Sequence, residues 1–183
     1  SLIGEVDSES PPFIHPTQGY LNTSPPIAPP EDVQRAAELI CNARQPVIIA
    51  GNGVHNARAY SEIRNLAEQL GIPIATTYKG KSIVAETHPL SIGMVGVYGQ
   101  RSANTFVGES DLVLVVGAKL TPQDTVGENP SIFDPKRQTI IQIDIDSRNA
   151  GWTFPVDLGL IGDARRILDQ ILEAVVERSD KKT

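Results

Sequence analysis

A chain of 183 residues with 40% apolar content fits one domain with its own buried core, or one domain with a tail. Its net charge of −6 argues against nucleic acid or an anionic membrane surface as the main partner. The single cysteine, Cys41, excludes an internal disulfide and a Cys-x-x-Cys metal site, and no apolar run approaches the roughly 20 residues of a membrane span. Glu5, Asp7 and Glu9 break any signal-peptide pattern, so a cytoplasmic setting is expected.

Residues 1–30 hold seven of the fourteen prolines (Pro11, Pro12, Pro16, Pro25, Pro26, Pro29 and Pro30) and read as an extended linker. From Glu31 the pattern changes: Val33, Ala36, Ala37 and Ile40 form the stripe of an amphipathic helix, with Cys41 as a packed thiol. The apolar run "PVIIA" (46–50) predicts a buried strand and ends in Gly51-Asn52-Gly53. A helix over 57–70 follows, with Ala59, Ile63, Leu66, Ala67 and Leu70 on one face and Gly71 as its stop. Further strands are predicted at "PIATT" (73–77), "LVLVV" (112–116) and "TIIQIDI" (139–145), and an edge strand at "DLGLIG" (157–162). The last helix runs over 164–177, with Asp163 at its N-cap. This alternation predicts a doubly wound α/β fold, a mostly parallel sheet with helices on both faces.

In such a fold ligands gather at the carboxyl ends of the strands. Those ends carry Gly51-Asn52-Gly53, Thr76-Thr77-Tyr78-Lys79-Gly80-Lys81, Gly117-Ala118-Lys119, and the acids Asp144 and Asp146. Glycines admit a close ligand and acids accept sugar hydroxyls, but glycines also turn tight corners and acids also cap loops. Spacing alone leaves both readings open. The dinucleotide fingerprint is not met, since position 56 is Asn and the second strand ends without an acid, which argues against a dehydrogenase. His15, His55 and His88 lack metal-ligand spacing and read as solvated or capping residues. Trp152 and Phe154 read as a packed loop, and neither a Gly-x-Ser-x-Gly elbow nor a P-loop is present.

The ordered series "ARQPVIIAGNGV", "LAEQLGIPIATTYKGKS", "HPLSIGMVGVYG", "SANTF", "SDLVLVVGAKL", "IIQIDID" and "IGDARRIL" resembles the central domain of thiamine-diphosphate-dependent enzymes of the acetolactate synthase type. The resemblance implies a Rossmann-like central domain over 31–177, a preceding linker, and the start of a second linker over 178–183. It implies flanking pyrimidine- and pyrophosphate-binding domains, a parent enzyme acting on 2-oxo acids as a transferase or lyase, and assembly as a homodimer or tetramer. Thiamine diphosphate and magnesium would be held by those other domains. This chain has Gly162-Asp163-Ala164 but no Gly-Asp-Gly and no Asn pair, so no catalytic or metal-binding residue is expected in it.

Central domains of acetolactate synthases carry FAD in a largely structural role. Carried over by resemblance, Gly51, Asn52 and Gly53 match the glycine turn, Thr77 the motif threonine, and Gly99 the glycine after "MVGVY". Asp144 and Asp146 match the adenosine-side acids, and Asp163 the later Gly-Asp. The chain departs from the flavin version at Gly117-Ala118-Lys119-Leu120-Thr121, which lacks its Gly-x-Arg-x-Asp. Tyr78 and Lys79 replace apolar residues, and Tyr98 replaces a histidine. Lys79, Lys81 and Lys119 at one edge of the sheet would suit a diphosphate, so the groove is expected to take an ADP-like nucleotide, FAD, or nothing. An autonomous adenine-nucleotide-binding module and an empty structural interaction domain are the competing readings.

Overall fold

The computed structural model describes residues 26–180. His15 and most of the predicted linker lie outside the described residues. Six strands form one parallel sheet: β1 (Pro46–Ala50), β2 (Ile74–Thr76), β3 (Ser91–Met94), β4 (Leu112–Val116), β5 (Thr139–Asp144) and β6 (Leu158–Ile161). Their spatial order is β3-β2-β1-β4-β5-β6, the doubly wound order whose reversal between β1 and β4 opens a crevice at the carboxyl edge. Among the described residues the α-helices are α1 (Pro30–Asn42), α2 (Asn52–Ala57), α3 (Tyr60–Leu70), α4 (Arg101–Glu109) and α5 (Ala164–Asp180).

Alternation along the strands decides which helices cover which face. Ile48, Ala50, Leu112, Leu114, Ile141 and Ile143 pack with Val33, Ala36 and Ile40 of α1, Ile63 and Leu66 of α3, and Ile167, Leu168 and Ile171 of α5. The opposite parity, Val47, Ile49, Val113, Val115 and Ile140, packs with Val107 of α4 and with Leu120, Ile132 and Phe133. Both faces of the central strands are buried, which is why "PVIIA" and "LVLVV" show no polar alternation. Cys41 packs partly buried against the first cluster. Across the seam between α3 and α5, the buried Glu62 accepts from Arg165 Nε at 2.9 Å and from Ser61 Oγ at 3.0 Å.

The helix predicted over 57–70 is α3, which begins at Tyr60, and a separate short helix, α2, precedes it over Asn52–Ala57. Arg58 takes a left-handed conformation (φ 53°) at the end of α2, and Gly71 does the same at the end of α3. The run predicted as 73–77 pairs only over 74–76, and β5 stops at Asp144 rather than residue 145. The edge strand β6 is present. β3 and α4 had no counterpart among the predicted elements. Residues 26–29 lie along α5: Ala28 is buried, its N–H donates to Gln170 Oε1 at 3.2 Å, and Pro26 O accepts from Asp163 N at 2.9 Å. Among the described residues no helix is long and apolar enough to cross a membrane.

Candidate functional site: a groove at the carboxyl edge of the sheet

The glycine turn after β1 is accounted for by packing. A Cβ on Gly53 would stand 2.5 Å from Gly117 Cα, and a Cβ on Gly117 would stand 2.5 Å from Gly53 Cα. The start of α2 and the loop after β4 therefore cross backbone to backbone. Gly117 also needs its left-handed conformation, with φ 62°. The turn's N–H groups are largely committed to this crossing. Gly51 N donates to Val116 O at 2.8 Å, Gly53 N to Gly117 O at 2.9 Å, and Val54 N to Gly51 O at 3.0 Å. A ligand at this edge is therefore left to side chains rather than to a cradle of glycine amides.

Those side chains surround a groove of about 320 Å³. Asn52, Gly53 and Asn56 come from α2, and Thr77, Tyr78 and Lys79 from the 3-10 turn after β2. Gly117, Ala118, Lys119, Thr121, Gln123 and Asp124 follow β4, while Asp144, Ile145 and Asn149 follow β5. A smaller lobe of about 150 Å³ shares Gly53, Asn56, Gly117 and Asp144 and extends to Asp163 and Ala164. Nine of the thirteen residues predicted for a site line one lobe or the other: Asn52, Gly53, Thr77, Tyr78, Lys79, Gly117, Lys119, Asp144 and Asp163.

Two of them are buried residues that each keep an unpartnered oxygen open to solvent. Thr77 is 3% exposed, and its hydroxyl has no partner among the described residues. Asp144 is 6% exposed; its Oδ1 accepts from Asp146 N and Asn149 Nδ2, both at 2.9 Å, whereas Oδ2 has no partner among the described residues. Both oxygens stay accessible, the carboxylate oxygen to a hydrogen-bond donor and the hydroxyl to either a donor or an acceptor. Asp163, in the smaller lobe, is largely occupied: Oδ1 accepts from Arg166 N at 3.1 Å, the N-cap expected from the sequence.

Four predicted residues stand off the groove. Gly51 is buried behind it against Gly117 and Ala118. Asp146 is turned onto Arg148, whose Nε and Nη2 approach its two oxygens at 2.7–3.1 Å. Hydrogen bonds from the Arg148 side chain and backbone hold its carboxyl down to about 2, with Lys119 adding a smaller attraction. Tyr98 packs on Tyr78 with ring centroids 5.7 Å apart, both rings exposed. Gly99 closes a turn against Met94 O and Gly96. Of the three lysines expected at this edge, Lys79 and Lys119 line the groove. Lys81 is engaged by Glu86, so the positive field comes from two lysines, not three.

Asn56, Thr121, Gln123, Asp124, Ile145 and Asn149 line the groove without having been predicted. Asn56 stands one turn beyond Asn52, a spacing that puts both on one helix face. Thr121 and Asp124 carry a local signal too: Asp124 Oδ2 accepts from Thr121 N at 3.0 Å and Thr121 Oγ1 at 2.8 Å. His55 and His88 have structural duties. His55 bridges Tyr60 OH and Lys81 O at 3.0 Å each, and His88 joins Glu68 Oε1 to Leu90 N. Phe154 stacks on Phe133, but Trp152 is exposed, so only one of the two aromatics is packed as expected.

A parallel doubly wound sheet with a polar groove at its switch point defines a domain of the Rossmann-like α/β class. Residues 33–171 match the family described as thiamine pyrophosphate enzyme, central domain, and the chain belongs to that family. It is 37% identical over 184 aligned positions to a probable acetolactate synthase large subunit of Methanocaldococcus jannaschii, covering 98% of this chain and 30% of that protein. It is 36% identical to the acetolactate synthase large subunit of Corynebacterium glutamicum (92% of this chain, 26% of that one). It is 32% identical to a sulfoacetaldehyde acetyltransferase of Alcaligenes xylosoxydans xylosoxydans (92% and 27%). The chain thus spans less than a third of the length of these relatives.

Proposed function

We propose that this chain is the non-catalytic central domain of a larger thiamine-diphosphate-dependent enzyme acting on 2-oxo acids, and that its groove holds an ADP-like nucleotide. Thiamine diphosphate and magnesium belong, on this reading, to flanking pyrimidine- and pyrophosphate-binding domains. The residues here do not suit that cofactor: Gly162-Asp163 runs into Ala164, and Asp163 caps α5. The family match and the small share of each relative that is covered support the domain assignment.

The observation that carries the nucleotide reading is a pair of accessible, unpartnered oxygens, Thr77 Oγ1 and Asp144 Oδ2, on buried residues that line one groove with Lys79 and Lys119. Asp144 Oδ2 would accept a ribose hydroxyl, and the ammonium groups would meet a diphosphate as point charges. A volume of about 320 Å³ sits at the low end of ligand pockets, about 300–1,000 Å³, which favours a compact nucleotide over FAD. Lys119 stands where the flavin motif has the planar fork of its Arg, and Thr121 where it has its Asp. One observation favours the second reading, a structural domain with an empty groove: the glycine turn is explained by packing alone.

Calorimetric titration separates the two. ADP should bind the wild-type chain more tightly than FAD and should lose about tenfold or more in affinity on Asp144→Asn or Lys119→Ala. FAD binding tighter than ADP, unaffected by Lys119→Ala, would overturn the ADP assignment. Binding of neither would leave the structural reading.

A further inference from the structure

We propose that Gln142 is the positioning residue of the groove, a single buried amide that sets both banks from behind. The proposal rests on the nucleotide reading of that groove. Gln142 lies in β5, 2% exposed, between β4 and β6, and does not itself line the cavity. Its Nε2 donates to Ala118 O at 2.9 Å and to Asn149 O at 3.0 Å, while Oε1 accepts from Gly151 N at 2.9 Å. Two carbonyls and one N–H around it leave only one orientation of the amide.

Two of these three bonds end on groove residues, Ala118 and Asn149, and the third holds the same loop as Asn149 at Gly151. Ala118 is the neighbour of Lys119, so the first bond fixes the backbone that carries one cation. The other two fix the loop after β5 at Asn149 and Gly151. Asn149 in turn donates Nδ2 to Asp144 Oδ1 at 2.9 Å, which leaves Oδ2 as the oxygen presented to a ligand. Gln142 thereby links the Lys119 bank to the Asp144 bank from the buried side, while the exposed Thr153 hydroxyl, donating to Lys119 O at 3.2 Å, is a weaker tie at the surface. Without it, the carbonyls of Ala118 and Asn149 lose donors, and the exposed Thr153 bond is the side-chain tie left between the two banks.

The same neighbourhood supplies a matched control. Gln138 is also 2% exposed, donates Nε2 to Val107 O at 2.7 Å and Ile132 O at 3.2 Å, and accepts from Asp134 N at 2.8 Å. It braces α4 and the segment before β5, and none of its partners lines the groove. A purely structural role would make the two glutamines behave alike.

The experiment compares the 183-residue wild type with Gln142→Met and Gln138→Met, reading urea stability, hydrogen exchange without ligand, and ADP affinity. Both variants should lose comparable stability. Only Gln142→Met should speed exchange in residues 117–120 and 146–152, and only it should weaken ADP, by about tenfold, the scale of losing one hydrogen bond to a charged group. Gln142→Thr, β-compatible and small enough to admit a water, serves if the Met variant does not fold. Unchanged exchange in those two segments, or an equal loss of ADP affinity in Gln138→Met, would overturn the proposal. If the wild type takes up no ADP, the nucleotide reading fails, and the exchange comparison alone decides whether Gln142 braces the two loops.

Discussion

Substituting Gly117 by alanine tests whether the glycines of this edge exist for a backbone crossing. Gly117 and Gly71 share a left-handed conformation, φ 62° and 67°, yet their surroundings differ. A Cβ on Gly71 meets nothing within 4 Å, so Gly71→Ala carries only the conformational cost of about 1 kcal/mol. A Cβ on Gly117 meets Cα, C and N of Gly53 at 2.5, 2.8 and 2.9 Å. Those are backbone atoms that no rotamer change can move aside, so overpacking of about 1–3 kcal/mol is added. Gly117→Ala should therefore cost about 2–4 kcal/mol in all. Urea unfolding of both variants, checked for equal m values, measures the difference directly. Thermal midpoints should fall by about 2–4 °C for each kcal/mol in a chain of this size. A Gly117→Ala variant no less stable than Gly71→Ala would refute the crossing as the reason for these glycines.

The Asp146 carboxyl should titrate near pH 2 by NMR and return to the ordinary carboxylate range in Arg148→Ala. Because its folded value is depressed, whatever stability the pair gives is present above the unfolded carboxyl's value and is lost as pH falls through about 2. Asp169 has the opposite sign: burial, then the charge of Glu62, raises its value, so its ionised form opposes folding. Asp169→Asn should raise stability at pH 7, and the gain should vanish below the unfolded carboxyl's value; a gain that persists at acid pH would contradict this cause. Lys81→Ala should leave ADP affinity unchanged, since Lys81 is engaged by Glu86, and a loss matching that of Lys119→Ala would return Lys81 to the groove.

The central strands were legible because burial on both faces leaves an unbroken apolar run, and β1 and β4 span the residues read from "PVIIA" and "LVLVV". β3 was not, because "SIGM" is half-buried at every position and interrupted by Gly93, so it shows neither a run nor an alternation. α4 buries only Ala103, Val107 and Gly108 and has no side-chain cap, which leaves a stripe too short to stand out. The α2–α3 break rests on the left-handed Arg58, a residue type with no preference for that conformation. In the groove, strand-end logic reached Thr77, Lys119 and Asp144, since the fold dictates where those ends gather. It could not reach partner choice. Asp146 turning to Arg148 and Lys81 to Glu86 are choices of partners two and five residues away in place of the groove, while Gln142 reaching two loops is an outcome of tertiary placement that its spacing along the chain does not encode.

The central claim is that this chain is one non-catalytic domain of a larger enzyme, and turnover tests it most directly. The product of the full-length gene and the purified 183-residue chain would each be incubated with thiamine diphosphate, magnesium and pyruvate or another 2-oxo acid, following carbon dioxide and acetolactate. The account predicts turnover by the full-length protein on at least one such acid and none by the 183-residue chain above a protein-free control. Turnover by the isolated chain, or a full-length protein that consumes no 2-oxo acid under any of these conditions, would contradict it.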